Sequence, residues 1–115
     1  MGVKNRILQI NELMQRELGA ILLRGVDFPE NTIATITRVN ASPNLQQAKV
    51  YISVMPEGKT KEVLKTLQRD IYAIQQQLNK RLKMRPVPKI KWVWETQTAE
   101  AQKIEQLLDE IKNGG

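Results

Sequence analysis

Residues 60–83 carry an apolar stripe, Val63, Leu64, Leu67, Ile71, Ile74, Leu78 and Leu82, recurring mostly at spacings of three and four. That is the period of an amphipathic helix. A strand pattern flanks it on each side. In QQAKVYISV, residues 46–54, Ala48, Val50, Ile52 and Val54 share one side while Lys49, Tyr51 and Ser53 share the other. In KIKWVW, residues 89–94, the sharing set is Ile90, Trp92 and Trp94. A strand, a helical crossover and a second strand return parallel and right-handed. Strand 89–94 is therefore expected beside strand 46–54, under the helix. The lengths conflict. As one straight helix, residues 60–83 run about 36 Å, whereas a strand of this kind covers about 20–27 Å. The helix must overhang or bend, and no Gly or Pro marks a hinge near Tyr72 and Ala73.

The other elements follow from the same periods. Residues 4–23 read as a helix with Ile7, Ile10, Leu13, Met14, Leu18, Ile21 and Leu22 on its apolar side, ended by Gly25, Asp27 and Pro29. TIATITRV, residues 32–39, reads as a strand. NASPNL, residues 40–45, has turn chemistry, so strands 32–39 and 46–54 form an antiparallel hairpin. Pro56, Glu57 and Gly58 end that hairpin. Thr60 is the expected N-cap of the long helix, with Glu62 favoured in its first turn. Pro86 and Pro88 stop it. A last amphipathic helix is expected over 98–112, with Ala101, Ile104, Leu107, Leu108 and Ile111 inward. The order is helix, strand, strand, long helix, strand, helix. The fold class is α+β, a small mixed three-stranded sheet with helices on one face. A chain of 115 residues suits one domain, 1–115.

Absent residue types exclude much chemistry. With no Cys and no His there is no disulfide, no Cys or His metal site, and no Cys nucleophile or His-based triad. The opening fifteen residues lack the apolar core of a secretory signal, and no apolar run approaches a membrane span. Gly58-Lys59-Thr60 ends like a phosphate-binding loop, but Ser53 stands where that loop needs its first Gly. Glu12 and Glu17, Asp27 and Glu30, and Glu105, Asp109 and Glu110 read as solvated faces or loop, not as an acid–base pair. No cofactor is expected. Trp92 and Trp94 alternate in phase with Ile90, which favours core packing over base stacking.

The charge is uneven. Of the net +6, residues 58–95 supply +7, from ten basic and three acidic side chains. Lys61, Lys65 and Arg69 line one flank of the long helix. Lys80, Arg81, Lys83 and Arg85 follow near its C-terminus, where cations also complement the helix dipole. Lys89 and Lys91 lack that reason. They alternate out of phase with Ile90 and Trp92, and so emerge on the face opposite the helices or along an edge. Lys4 and Arg6 extend the set at the first helix. A basic run of this kind favours a polyanionic partner.

Three stretches carry a family resemblance. KNRILQINELMQRELGAIL, with Arg6, Ile7, Glu17 and Leu18, resembles the first helix of the ribosome-binding factor A family. ITRVNASPNLQQAKVYISV resembles its hairpin segment through Val39, Ser42, Pro43, Asn44, Leu45, Ala48 and Val50. LNKRLKMRPVPKIKW resembles its Leu-Arg-x-x-Pro-x-Leu-x-Phe segment through Leu82, Met84, Arg85, Pro88, Ile90 and Trp92. The resemblance implies a type II KH-like domain and a non-catalytic assembly factor of the cytoplasm. It implies binding to the immature 30S subunit and 16S rRNA, aiding rRNA maturation. A monomer is expected, with no membrane partner.

This sequence departs from the family pattern in places. Asn44 replaces the usual Asp of the Ser42-Pro43-Asn44 loop. Asp70, Ile71 and Tyr72 stand where the family has Ala-x-Gly at a helix kink, which leaves a bent or a straight helix open. Glu95 stands for the Asp that ends the third strand. The sequence ends in Asn113-Gly114-Gly115, so no contact resting on a longer tail is carried over. The Gly-x-x-Gly clamp of RNA-binding KH domains is missing too, since no two glycines are three apart. RNA contact is then expected to rest on charge and shape. The alternatives are a protein-interaction module docking an acidic partner, and a small enzyme built on carboxylates or Lys alone.

Overall fold

The computed structural model describes residues 3–95, with side chains from residue 5 onward. The helix expected over 98–112 lies outside the described residues. Helix α1 spans Val3–Gly25, strand β1 Ile33–Ala41 and strand β2 Gln47–Met55. A short 3-10 turn, Glu57–Lys59, leads into α2, Thr60–Arg69; α3, Ile71–Arg81, and β3, Lys89–Trp94, follow. The sheet order is β1-β2-β3, with β1 antiparallel and β3 parallel to the central β2. The crossover expectation holds, and the architecture is a KH-like α+β domain.

One core lies between the helices and the sheet. Alternation on β2 turns Ala48, Val50, Ile52 and Val54 into it. Met14, Leu18, Ile21, Val63, Leu67, Ile74 and Leu78 meet them from the helices. Burying each such side chain stabilises the fold by about 1.5–3 kcal/mol relative to leaving it in water. On β1 a bulge at Thr37 shifts the register between Ile36 and Arg38. The extra residue reverses the phase, so Ile36 before it and Val39 and Ala41 after it all reach the core.

The long helix is two helices. Asp70 drops out of helical geometry at φ −95° and ψ 8°, the sparsely allowed bridge between helix and strand. Its N–H still reaches the Thr66 carbonyl at 3.0 Å, and its carbonyl takes the Ile74 N–H at 3.0 Å. The break has a side-chain cause. Trp92 Nε1–H donates to the Leu67 carbonyl at 3.1 Å, the acceptor that an unbroken helix reserves for the N–H of Ile71. A donor inserted into the helical ladder bends a helix without Gly. The bend settles the length conflict, because α3 can fold back over β3.

Two sequence expectations change here. Thr60 is not the N-cap. It is the first residue of α2, buried, and its hydroxyl donates to the Glu57 carbonyl at 2.7 Å, while Lys59 occupies the cap position without a side-chain bond. Trp94 is not core: it is 47% exposed. It is the last residue of the edge strand β3. Trp92 packs half-buried against the core, as expected.

Both sheet edges are plugged by helix amides. On β1, Asn11 Oδ1 accepts the Ala41 N–H at 2.8 Å and Gln15 Nε2 donates to the Ile36 carbonyl at 3.3 Å. On β3, Gln75 Oε1 accepts the Ile90 N–H at 2.9 Å and its Nε2 donates to the Pro88 carbonyl at 3.2 Å. Gln75 thus imitates a neighbouring strand. Satisfied edge groups give a second chain less to pair with.

Candidate nucleic-acid interface

Strand register sets the two ends of the molecule. Gln47 pairs with Lys89, so the turn after α3 and the hairpin loop 42–46 share one end. Ile33 pairs with Met55, so the 26–32 loop and the start of α2 share the other. Asn11 reaches Ala41, which brings the first half of α1 to the Gln47 end. Sequence charge then becomes spatial charge. No Asp or Glu occurs in 31–56 or 71–94, the segments that build the Gln47 end and most of the sheet.

On the face opposite the core helices, β2 and β3 carry Lys49 and Lys91 as direct neighbours, with Lys89 beside Gln47. All three lysines are exposed. Like charges directly opposite on adjacent strands are destabilising by about 0.2–1 kcal/mol. Among the described residues no carboxylate pairs with any of the three. Tyr51 lies on the same face with the Arg38 guanidinium 4.0 Å above its ring centroid. Toward the Met55 end the face closes. The Glu95 carboxylate accepts the Thr37 hydroxyl and pairs with Arg38 at 3.4 Å, tying the chain after β3 to β1 across the central strand. Ser53, read as outward-facing, is buried there.

The expected basic residues separate into three kinds. Lys80, Lys83, Lys89 and Lys91 are exposed at the Gln47 end or on the open face. Arg6 is exposed, and Lys4 lies in the first turn of α1 with its side chain outside the described part. Arg81 and Arg85 are committed locally. Arg81 Nη1 donates to Glu17 Oε2 at 3.0 Å. Arg85 Nη1 donates to the Leu82 and Met84 carbonyls at 2.8 and 2.6 Å, holding the turn that follows α3. Lys61, Lys65 and Arg69 form the third kind. They lie on α2, which starts from the Met55 end, among acids. Lys65, Arg69 and Glu62 border one depression with Asp27, and Lys59 pairs with Glu62 at 3.6 Å. Arg69 Nε donates to Asp70 Oδ1 at 3.0 Å. That bond holds the Asp70 carboxyl below its ordinary value and raises the Arg69 guanidinium above its own. The structure does not join these three to the sheet-face lysines.

The loop Ser42-Pro43-Asn44 is a built turn. Asn44 Oδ1 accepts the Ser42 hydroxyl at 2.6 Å and the Gln46 N–H at 3.1 Å, while Ser42 Oγ accepts the Gln47 N–H at 3.2 Å. Leu45 takes a positive φ of 59° to close it. An Asp at position 44 would accept the same bonds, so the departure from the family pattern keeps the turn.

Sequence reading did not include Lys49 in the candidate set. Its outward phase on strand 46–54 was legible; its position against Lys91 needed the strand register. Among the described residues there is no candidate metal cluster, and no helix is long and apolar enough to cross a membrane.

The fold and its cationic end define a KH-like domain without the Gly-x-x-Gly loop. The family model for ribosome-binding factor A matches residues 6–108, and the chain belongs to that family. A ribosome-binding factor A from Bdellovibrio bacteriovorus is 32% identical over 113 residues, spanning 97% of this chain and 84% of the relative. One from Opitutus terrae is 32% identical over 110 residues, spanning 95% and 89%. Among solved structures, the crystal structure of ribosome-binding factor A from Thermus thermophilus superposes with a TM-score of 0.62 at 19% identity, covering 81% of this chain and 94% of that one. A Thermus thermophilus ribosome-binding factor A model fitted into the cryo-EM map of a 30S complex gives a TM-score of 0.60 at 21% identity, covering 71% and 87%.

Proposed function

We propose that this chain is a non-catalytic assembly factor that binds the immature 30S ribosomal subunit and assists 16S rRNA maturation through its basic surface. The observation that carries the reading is the set Lys49, Lys89 and Lys91. Adjacent like charges are kept on an open sheet face, with no carboxylate among the described residues paired with them, where a polyanion would neutralise all three at once. Lys80 and Lys83 extend the set around the turn after α3, and Arg6 extends it along α1. Arg81 and Arg85 contribute charge while holding the turn. Lys61, Lys65 and Arg69 contribute least, because Arg69 is bonded to Asp70 and Lys65 borders Glu62 and Asp27, away from the sheet-face lysines. Family membership supports the ribosomal target, as does the 30S complex of the Thermus thermophilus relative.

The chain acts as a single domain over residues 1–115, as a cytoplasmic monomer without a cofactor. Its contacts are phosphate and shape contacts, since the clamp that splays single-stranded RNA is missing. Co-sedimentation with purified 30S subunits across a salt series tests the reading. With about six phosphate contacts, affinity falls by roughly a thousandfold between 50 and 200 mM salt. Binding indifferent to salt, or unchanged after charge reversal at Lys49, Lys89 and Lys91, would refute it. An affinity for acidic protein but not for subunits would favour the interaction module instead.

A further inference from the structure

A cleft of about 420 Å³ opens between the first half of α1 and the turn after α3. Its rim carries three cations, Arg6, Arg81 and Lys83, and its floor is apolar, with Ile10, Leu13 and Met84. Ile10 is buried, and Leu13 and Met84 pack against the core, so the floor is part of the rigid domain. Gln9 lines the same cleft with an exposed amide that can both donate and accept. The Arg81 guanidinium is held on the rim by Glu17 at 3.0 Å, which leaves the rest of its fork of donors for a phosphate. Among the described residues no carboxylate lines the cleft.

An apolar floor, one amide and a cationic rim match the three parts of a nucleotide. The base has a flat apolar face, its edge has hydrogen-bonding groups, and its phosphate is anionic. Unpaired bases in RNA are the ones available for such capture, and they stack on apolar or guanidinium surfaces. We infer that this cleft takes one unpaired nucleotide of a structured RNA. Its base lies on Leu13 and Met84, and its phosphate lies on Arg6 and Lys83 beside Arg81. The inference rests on the RNA-binding reading above and adds a point of local recognition to a surface otherwise read as charge and shape. It is separate from the sheet-face lysines, so the two can fail independently.

Fluorescence anisotropy with two RNA hairpins of equal nucleotide count tests it, one fully paired in its stem and one carrying a single-nucleotide bulge. The chain is expected to prefer the bulged hairpin by about fivefold to tenfold, the lower part of what one stacked base contributes. Met84→Ala, which removes part of the floor without changing charge, brings the ratio close to one and leaves the paired hairpin within about twofold. Gln9→Glu, at an exposed helix position that does not threaten folding, also removes the preference. Equal affinity of the unaltered chain for both hairpins overturns the inference and leaves the charge reading standing. Affinity for neither overturns both. If an amphipathic peptide of Leu and Glu binds and responds to Met84→Ala while the hairpins do not, the cleft is a protein groove and the nucleotide assignment falls.

Discussion

Two groups of cations on this domain differ in the acids around them. On α2, Lys65 and Arg69 border a depression with Glu62 and Asp27, and Arg69 is bonded to Asp70. On the sheet face, Lys49 and Lys91 are neighbours across the β2–β3 pair, with Lys89 alongside. In sequence the two groups look alike, as runs of Lys and Arg on amphipathic elements. In space the first is a solvated mixed-charge surface of the kind that contributes little. The second is an electrostatic cost in the free protein that a polyanion would relieve. Counting cations along a chain therefore does not separate the two groups, whereas their acidic neighbours do.

The largest effect should come from reversing the sheet-face group. Lys49→Glu, Lys89→Glu and Lys91→Glu together are expected to weaken 30S binding by at least roughly a hundredfold. The slope of log affinity against log salt should flatten by about two to three units, read by co-sedimentation at several salt concentrations. Next in size is Arg85→Ala. Its bonds to the Leu82 and Met84 carbonyls shape the turn that presents Lys83 and Lys89. Thermal unfolding should show a loss of about 1 kcal/mol, with weaker binding as the turn loosens. Lys61→Glu with Lys65→Glu should cost less than about threefold in affinity, as for charges on α2 away from the sheet-face lysines. A loss matching that of the sheet-face reversal would erase the contrast between the two groups.

The smallest effect is the pH response of the Arg69–Asp70 pair. The Asp70 carboxyl is held below its ordinary value of 3.8 by the Arg69 hydrogen bond. A depressed carboxylate contributes stability above its unfolded value and loses it as pH falls through the folded value. Denaturant titrations should therefore show a slight extra loss of stability below about pH 4, absent in Asp70→Asn. Folding should tolerate that substitution, because Trp92 and Leu67, not the carboxylate, accompany the bend.

Much of the fold was legible because periodicity is local. The apolar stripes placed Met14, Leu18, Leu67, Ile74 and Leu78 in the core, and all five are buried. The alternation of KIKWVW defined β3 at Lys89–Trp94, the observed limits, and the crossover rule gave its parallel partner. The same signals failed at the ends of elements. Trp94 follows the phase of Ile90 and Trp92, yet is exposed at the last residue of the edge strand. Thr60 has the chemistry of an N-cap, but the turn before it draws its hydroxyl back to Glu57. The candidate interface was half legible in the sequence. Lys89 and Lys91 announced themselves by phase, whereas Arg81's partner Glu17 is 64 residues away and invisible to any local pattern.

By itself, the sequence determined the kinds of elements, their order, the parallel return of the third strand and the basic balance of the middle of the chain. These follow from side-chain period, proline and glycine placement, and the handedness of L-residues. Only the tertiary structure decided that the long helix breaks at Asp70, that Lys49 stands beside Lys91, and which arginines are already bound. Each of those depends on register or on a contact between residues far apart in the chain. Such contacts are set by which surfaces bury the most apolar area together, a property of the whole packed domain.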